Sequence, residues 1–282
     1  MLYATIPYMR EKLTSSFFSL FLLLAEGISV SSAQAVDDRR LASDPTELQR
    51  TWDDARVFLP ASTNAPNTRM HGKDLLENTT DITGFPAVIH AHGCAGIDGA
   101  SLEIGLFLSR AGYIAVQPDS FARQIKPISC DPSIPQGGLH RGVLAWRHEE
   151  IRFALKQLVE TTNLDIGPVF LMGFSEGAIA VATIKDTNVA GRIIEGWTCH
   201  AGWPEYKGLN SNLGEPVLSL VADRDPWFRL PILQGNCGTY IKGKPNGKSV
   251  VFGEGSPLRA GHWLSYDTTV QKIILDFLAS HR

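Results

Sequence analysis

Short apolar runs alternate along the chain with longer segments in which apolar residues recur every three or four positions. The short runs predict β-strands, and the longer segments predict amphipathic helices. From residue 85 onward the alternation is regular, which predicts a mostly parallel sheet with helices on both faces. The predicted strands cover about residues 55–59, 87–91, 113–116, 169–172, 193–197, 217–221 and 250–252, and the predicted helices cover about residues 102–110, 139–160, 175–183 and 264–278.

The rest of the pattern bears on domain organisation. Residues 36–80 are polar and rich in turn-forming residues, and 55–59 is the one strand predicted there. The sequence contains no internal repeat, low-complexity tract or linker. A single α/β domain over residues 36–282 is therefore the expected organisation.

The first 35 residues have the three parts of a secretory signal peptide. Arg10 and Lys12 give a basic start, residues 17–25 form a short apolar centre, and residues 33–35 read A-Q-A, an A-x-A cleavage site. The apolar run has about half the length that a membrane span needs, although an uncleaved anchor stays open as an alternative. We predict cleavage after Ala35, export to the periplasm or the medium, and no stable membrane insertion afterwards.

Composition narrows the function classes. The 282 residues carry 26 Lys and Arg against 29 Asp and Glu, a formal net charge of −3, and 44% of them are hydrophobic. Such a chain can bury a large core and is too apolar to be disordered. A near-neutral balance without basic runs gives no electrostatic reason to expect a nucleic acid as a partner.

The cysteines form an even set in a chain that is expected to reach an oxidising compartment, where disulfide bonds form and persist. No C-x-x-C spacing occurs, which argues against a structural zinc site. Four cysteines permit three pairings, and their spacing alone does not choose among them. They are Cys94, Cys130, Cys199 and Cys237.

Residues 173–177 read Gly-Phe-Ser-Glu-Gly, a G-x-S-x-G sequence. A predicted strand runs directly into it and a predicted helix leaves it, which is the strand–turn–helix context of a nucleophile elbow. The glycines are needed because a tight turn leaves no room for β-carbons. Such a turn exposes Ser175 and points a helix N-terminus at a developing oxyanion. The alternative is an ordinary glycine-rich turn between a strand and a helix.

Two further residues follow in the order acid, then base. The predicted strand 217–221 leads into Asp223 and Asp225, either of which could orient a histidine. We choose Asp225, because the chain needs a couple of turn residues before a side chain can swing inward, and keep Asp223 as the alternative. His262 lies between the last predicted strand and the last predicted helix, which is the position of the base in the hydrolase order.

A glycine-rich turn after the predicted strand 87–91 supplies a candidate oxyanion hole. The backbone N–H of Cys94 can point at the same place as the N–H of Glu176. We interpret His92, in the same turn, as structural rather than catalytic. His90 and His92 lie on one face of a strand end, so a metal-dependent amidohydrolase is a weaker alternative.

Five stretches together resemble the α/β-hydrolase fold and, more narrowly, the dienelactone hydrolase family. The stretches are 92–96 (HGCAG), 112–123 (GYIAVQPDSFAR), 173–177 (GFSEG), 222–225 (ADRD) and 260–262 (AGH). The resemblance extends over about residues 55–282 and implies a mostly parallel sheet of about eight strands with helices on both faces. The matching residues imply Ser175 as nucleophile, Asp225 as acid and His262 as base, with the amides of Cys94 and Glu176 as the oxyanion hole.

The resemblance has one departure. Dienelactone hydrolases carry a cysteine nucleophile in a G-x-C-x-G elbow, where this chain has Ser175. They also hold a substrate carboxylate with arginines, for which Arg123, Arg141 and Arg259 are candidates. The expected function is therefore a serine carboxylesterase or lactonase, which cleaves a small-molecule ester or lactone through an acyl-enzyme intermediate and requires no metal or organic cofactor. A non-catalytic hydrolase-like binding protein is the main alternative.

The fold implied by the resemblance adds two details. It puts Cys94 and Cys130 after neighbouring strands, and likewise Cys199 and Cys237, so it suggests these two pairs as disulfides. Four tryptophans fall at or just beyond strand ends on the catalytic rim, where they would suit an apolar or aryl acyl group, with ordinary packing as the alternative. They are Trp197, Trp203, Trp227 and Trp263.

Overall fold

The computed structural model describes residues 37–62, 66–75, 84–161 and 166–282. The predicted signal peptide, with its cleavage site after Ala35, lies outside these residues. The strands of the described residues are β1 (Arg56–Leu59), β2 (Thr68–His71), β3 (Ala87–Ala91), β4 (Ile114–Gln117), β5 (Cys130–Asp131), β6 (Gln136–Gly137), β7 (Val169–Phe174), β8 (Gly191–Glu195), β9 (Val217–Ala222) and β10 (Gly247–Phe252).

Eight of these strands form one sheet in the order β2-β1-β4-β3-β7-β8-β9-β10. The pairs β1–β2 and β1–β4 are antiparallel, and the other neighbouring pairs are parallel. The short strands β5 and β6 pair with each other outside this sheet. The prediction of a mostly parallel sheet of about eight strands is confirmed.

The helices of the described residues cover both faces of the sheet. On β3, the side chains of Ala87 and Ile89 join one apolar core and Val88 joins the other, because side chains alternate along a strand. Helices α1, α3 and α4 contribute to the first core, and α2 and α6 contribute to the second. The helices are α1 (Pro45–Asp53), α2 (Gly99–Arg110), α3 (Val143–Lys156), α4 (Glu176–Thr183), α5 (Gly238–Ile241) and α6 (Thr268–Ala279).

None of the helices in the described part of the chain is both long enough and apolar enough to cross a bilayer. Because β3, β7, β8, β9 and β10 are parallel, the residues that follow them meet at one edge of the sheet. That edge is where the candidate site residues lie.

The region before β3 holds more regular structure than the sequence predicts. Helix α1 begins after Asp44, whose carboxylate accepts hydrogen bonds from two N–H groups of the first turn. Its buried face consists mainly of Leu48 and Trp52, too few apolar positions for a clear helical period. Strand β2 is a half-exposed edge strand without an apolar run, so its pairing with β1 leaves no signal in the sequence.

Two predicted helices begin later than the apolar pattern indicates. Helix α3 begins at Val143 rather than near residue 139, since Gly138 has a φ of +77° and residues up to Gly142 form turns. It ends at Lys156 and continues as a π-helical turn. Helix α6 begins after Asp267, whose carboxylate accepts hydrogen bonds from two N–H groups of the first turn, as Asp44 does in α1.

Residues 37–42 are helical and pack next to α3. The carbonyl of Asp38 accepts a hydrogen bond from the indole N–H of Trp146 at 3.0 Å. The buried guanidinium of Arg123 donates to the carbonyl of Leu41 at 2.7 Å and stacks 5.2 Å from the ring centroid of Trp146. The beginning of the described chain is therefore an integral part of the packing.

Two disulfides are present, and both are the suggested pairs. Cys94 joins Cys130 with a Cα–Cα distance of 5.9 Å, and Cys199 joins Cys237 with a Cα–Cα distance of 5.0 Å. The first ties the turn after β3 to β5, and the second ties the turn after β8 to the start of α5. In the chain-entropy model, closing each loop of this length stabilises the folded state by about 3–4 kcal/mol.

Candidate active site

Ser175 lies in a strained turn between β7 and α4. Its φ of +55° and ψ of −117° lie in a region that residues with a side chain rarely adopt. The flanking glycines make the turn possible, since a Cβ on Gly173 would lie 2.2 Å from the carbonyl oxygen of Gly177. A Cβ on Gly177 would in turn lie 2.0 Å from the carbonyl oxygen of Ala91. The close approach of β3, β7 and α4 therefore requires the two glycines of the G-x-S-x-G sequence.

The imidazole of His262 bridges Ser175 and Asp225. Its Nε2 lies 2.8 Å from Ser175 Oγ, and its Nδ1 lies 2.6 Å from Asp225 Oδ2. Asp225 is buried, and its second oxygen accepts a hydrogen bond from the Trp227 N–H at 2.9 Å. A carboxylate at this distance fixes the tautomer with the proton on Nδ1, so that Nε2 is free to accept the serine proton.

Asp223, the alternative acid, lies elsewhere. Its carboxylate accepts a hydrogen bond from Arg259 Nε at 2.9 Å, and both side chains are about one third exposed. The structure therefore brings Asp225, and not Asp223, next to His262. Residues 223 and 224 separate Asp225 from the end of β9, which are the turn positions that a side chain needs before it can swing inward.

Three aromatic rings surround the imidazole of His262. Trp227 stacks on it with a centroid distance of 5.2 Å and an interplanar angle of 26°. Phe174 and Phe228 contact it at tilted angles, with centroid distances of 5.2 and 5.8 Å. These contacts restrict the ring to the orientation in which its two nitrogens meet Ser175 and Asp225.

Cys94 and Glu176 both line the cavity at Ser175. Gly93 lies directly beside the serine, since a Cβ on Gly93 would be 3.6 Å from Ser175 Cβ. Among the described residues, no protein group accepts a hydrogen bond from the amide of Cys94 or Glu176. Two unoccupied N–H donors next to a serine hydroxyl are what an oxyanion hole consists of.

A buried network of charges lies behind these amides. Arg147 donates from Nη2 to the carbonyl of His92 and from Nη1 to Ser120 Oγ, and its Nε lies 4.0 Å from Glu176 Oε1. Ser120 Oγ in turn donates to Glu150, which also accepts a hydrogen bond from Arg123 Nε at 2.6 Å. The network consists of His92, Ser120, Arg123, Arg147, Glu150 and Glu176, all of them buried.

The network holds the turn that carries Cys94. His92 Nε2 accepts hydrogen bonds from Ser120 N at 3.2 Å and from Arg147 Nη1 at 2.9 Å, so Nδ1 carries the proton and donates to the Gly93 carbonyl at 2.6 Å. Burial lowers the pKa of His92 well below its ordinary value, and Arg147 lowers it further. A neutral, fully bonded His92 agrees with its interpretation as a structural residue.

Glu176 contributes its side chain to the same network. Burial raises the pKa of its carboxyl, while Arg147 and the hydrogen bond from Ser129 Oγ oppose that rise. Sequence reasoning used only the amide of Glu176 and missed Arg147, because nothing in the helical pattern of α3 marks that arginine as buried.

Glu195 is a second buried carboxyl that sequence reasoning missed. Its Oε1 accepts hydrogen bonds from the N–H groups of Leu264 and Ser265, each at 2.7 Å. Both of these residues follow closely after His262 in the chain. Burial raises the pKa of Glu195 above its ordinary value. The available signal was an acidic residue at the end of an apolar strand, which is an unusual place for a solvated side chain.

A cavity of about 330 Å³ opens above Ser175 and His262. Its lining is mostly aromatic and aliphatic, and includes Trp197, Trp203, Tyr206, Trp227 and Phe228. Three of the four predicted rim tryptophans are therefore in the lining. Trp263 is not, because its indole N–H donates to Ser265 Oγ at 3.0 Å and its ring packs on Tyr266.

The three candidate arginines for a substrate carboxylate do not line this cavity in the described structure. Each is paired with an acidic side chain elsewhere. The Nε atoms of these arginines lie 2.6 Å from Glu150 for Arg123, 2.9 Å from Glu205 for Arg141 and 2.9 Å from Asp223 for Arg259.

The metal-dependent alternative finds no support in the donor groups. Within the described ranges, no group of three or more His, Cys, Asp or Glu side chains could hold a metal ion. Both ring nitrogens of His90 are buried without a partner, and burial lowers its pKa to about 3. The nitrogens of His92 are occupied by the protein itself.

Comparison with known proteins gives likeness in structure alone. No protein-family model matches the sequence, and no curated protein matches it significantly. The esterase Pf2001 of Pyrococcus furiosus, in two crystal forms, superposes with a TM-score of 0.51 in each, at 13% and 14% identity. Each superposition covers 84% of this chain, and the two cover 95% and 94% of the Pf2001 chain.

A dienelactone hydrolase-like promiscuous phosphotriesterase, P91, from metagenomic libraries is also similar. It has 15% identity and a TM-score of 0.47, with 71% of this chain and 87% of that chain covered. The strand order, the elbow between β7 and α4, and the likeness to Pf2001 together give this chain the α/β-hydrolase fold.

Proposed function

We propose that this protein is a serine hydrolase that cleaves a small-molecule carboxylic ester or lactone. The observation that carries the proposal is the continuous hydrogen-bonded chain from Ser175 through His262 to the buried Asp225, at the base of an open cavity. Its elements follow in the order nucleophile, acid, base, as in other α/β-hydrolases. The similarity to the esterase Pf2001 agrees with this assignment.

The reaction proceeds in two steps. His262 Nε2 takes the proton of Ser175 as Oγ attacks the ester carbonyl, and the carbonyl oxygen becomes negative. The amides of Cys94 and Glu176 donate hydrogen bonds to that oxygen, each worth about 10²–10³ in kcat by analogy with other oxyanion holes.

His262 then returns the proton to the leaving alcohol, and an acyl group remains on Ser175. Water, deprotonated by His262, attacks this acyl-enzyme and releases the acid, which restores the serine hydroxyl. Asp225 stabilises the imidazolium formed in each step. No step calls for a metal or an organic cofactor.

The proposal includes the subtype and the location. A serine in the elbow makes the protein a serine-nucleophile relative of the dienelactone hydrolases, with residues 36–282 as one α/β-hydrolase domain. Two disulfides agree with export to the periplasm or the medium after cleavage at Ala35, since such bonds persist in oxidising compartments.

The test is hydrolysis of short 4-nitrophenyl esters by the purified protein, with Ser175→Ala beside it. Removing a triad serine costs about 10⁶ in kcat in a comparable enzyme, so turnover should fall to background. Ser133→Ala is the matched control, because within the described residues that exposed serine hydrogen-bonds only to Asp131, two positions before it.

Each outcome separates the alternatives. Activity that survives EDTA and disappears with Ser175→Ala supports the serine mechanism. Loss of activity with EDTA would favour a metal-dependent hydrolase instead. Equal rates for wild type and Ser175→Ala would refute the assignment of the nucleophile, and ligand binding without any turnover would favour a binding protein.

A further inference from the structure

The wall of the cavity above Ser175 is aromatic and already ordered. Trp203 has little freedom, because Gly138 lies against its ring: a Cβ at Gly138 would be 2.6 Å from the indole. Tyr206 packs edge-on to the same indole at 5.3 Å, and the Arg141 guanidinium stacks at 4.7 Å from its centroid. A wall fixed in advance loses little conformational freedom when a flat ligand binds to it.

A second aromatic group lies by the reacting atoms. Trp227 stacks on the imidazole of His262, and Phe228 packs edge-on to both His262 and Trp197. A substrate held at Ser175 is therefore in a cavity with aromatic side chains near the reacting bond and at the outer wall. Aromatic rings pack on one another in offset and edge-on geometries that a saturated ring does not reproduce.

In the part of the chain that the structure describes, no free cation lines the cavity. No lysine or arginine belongs to its lining among the described residues, and Arg141, behind Trp203, is paired with Glu205. Of the described lining residues, only Glu176 is acidic, and its carboxyl is close to Arg147. A carboxylate that entered this cavity would lose its hydration without gaining an opposite charge, which is costly.

We propose that the substrate is an ester whose acyl group carries a neutral aromatic ring. This inference rests on the proposed serine hydrolase function. The acyl group stays bonded to Ser175 through both steps while the alcohol leaves after the first, so we assign the apolar cavity to the acyl side. An acyl group that bears a carboxylate, which the arginines of a dienelactone hydrolase would hold, is excluded.

Two matched pairs of methyl esters test ring type and charge separately, with acid release followed by titration at constant pH. Methyl phenylacetate and methyl cyclohexylacetate have the same carbon skeleton and differ in aromaticity. We expect kcat/KM to be roughly 3- to 10-fold higher for the aromatic ester. Methyl 4-nitrophenylacetate and methyl 4-carboxyphenylacetate have nearly the same shape and differ in charge, and we expect the carboxylate to react at least about 30-fold more slowly.

The variant Trp203→Leu tests where the aromatic preference arises. It should lower the ratio between the phenyl and cyclohexyl esters, because the indole of the outer wall is lost while Trp227 and Phe228 remain. Tyr266→Leu is the control: Tyr266 is an exposed aromatic residue, 53% accessible, that is not part of the lining. Its removal should leave the ratio unchanged.

The outcomes distinguish this inference from the function on which it rests. If 4-nitrophenyl acetate is not hydrolysed in a Ser175-dependent manner, the proposed function fails and the inference fails with it. If that ester is hydrolysed but the four methyl esters are not, the inference alone is overturned. It is also overturned if the carboxylate ester reacts as fast as the nitro ester, or if the cyclohexyl ester equals the phenyl ester.

Discussion

The replacement Arg147→Met tests the buried network behind the candidate oxyanion hole. Methionine keeps most of the volume of the arginine side chain and removes its charge and its donors. The hydrogen bonds to the His92 carbonyl, to His92 Nε2 and to Ser120 Oγ disappear. The contacts with the carboxylates of Glu176 and Glu150 disappear with them. Glu150 keeps Arg123 as a charged partner, and Glu176 keeps its hydrogen bond from the hydroxyl of Ser129.

The expected loss of stability follows from the buried carboxylate of Glu176 that remains without Arg147. Removing one partner of a buried ion pair destabilises a protein by about 3–5 kcal/mol, because the other charge remains buried without compensation. For a chain of this size, about 2–4 °C in Tm corresponds to each kcal/mol, so Tm should fall by roughly 6–20 °C. The turn that carries Cys94 also loses its anchor, so we expect kcat to fall by about tenfold or more while KM changes less.

The loss of stability should depend on pH in a defined direction. Burial raises the pKa of Glu176, and Arg147 opposes this effect, so its removal raises that pKa further. The unfolded chain releases the proton near the ordinary value, and the folded variant holds it to a higher pH. Stability contributed by protonated Glu176 is therefore present at low pH and is lost as pH rises toward the folded pKa.

The assay is thermal unfolding followed by circular dichroism at pH 5 and pH 8, together with ester hydrolysis. Arg152→Met is the matched control, since Arg152 lies on the same helix and forms a partly exposed pair with Glu149 at 2.7 Å. Such a pair contributes at most about 1 kcal/mol. The reasoning is refuted if Arg147→Met is no less stable than Arg152→Met, or if its loss is the same at both pH values.

Two further predictions concern the acid and one disulfide. Asp225→Asn should lower kcat on 4-nitrophenyl acetate by about 10⁴, because the amide favours the wrong imidazole tautomer. Asp223→Asn alters a surface pair, so its kcat should stay within about twofold of the wild-type value. A larger loss of kcat in Asp223→Asn than in Asp225→Asn would identify Asp223 as the acid. Replacing Cys199 and Cys237 together by Ala should lower the free energy of unfolding by about 3–4 kcal/mol in urea titrations. An unchanged urea midpoint would contradict the chain-entropy account.

The sequence predicts the part of the fold that is built from buried parallel strands. Strands β3, β7 and β9 are mostly apolar and are buried at nearly every position, because both faces of the sheet are covered. Their signal in the sequence therefore does not depend on register. The elbow at Ser175 is equally visible, because its geometry demands glycines at fixed positions. Helix α1 was missed because it buries only a few apolar side chains and packs on α3, which is distant in sequence. Strand β2 was missed because it is a half-exposed edge strand without an apolar run.

The contacts behind the site are the part that the sequence does not reveal. Arg147 is on a helix whose pattern also contains exposed charges, and its partners are 55 residues away at His92 and 27 residues away at Ser120. Only the packing of α3 against the turn after β3 brings them together. Glu195 is similar, because its partners at residues 264 and 265 lie on a segment about 70 residues further along.

The packed segment at residues 37–42 has a practical consequence for protein production. Arg123 links this segment to Glu150, and Ser120 links Glu150 to Arg147 beneath the candidate oxyanion hole. An expression plasmid that starts the coding sequence after residue 42 would strip two carbonyl acceptors from a buried guanidinium. Affinity tags therefore belong at the other end, where α6 finishes at Ala279 and Arg282 is exposed to solvent.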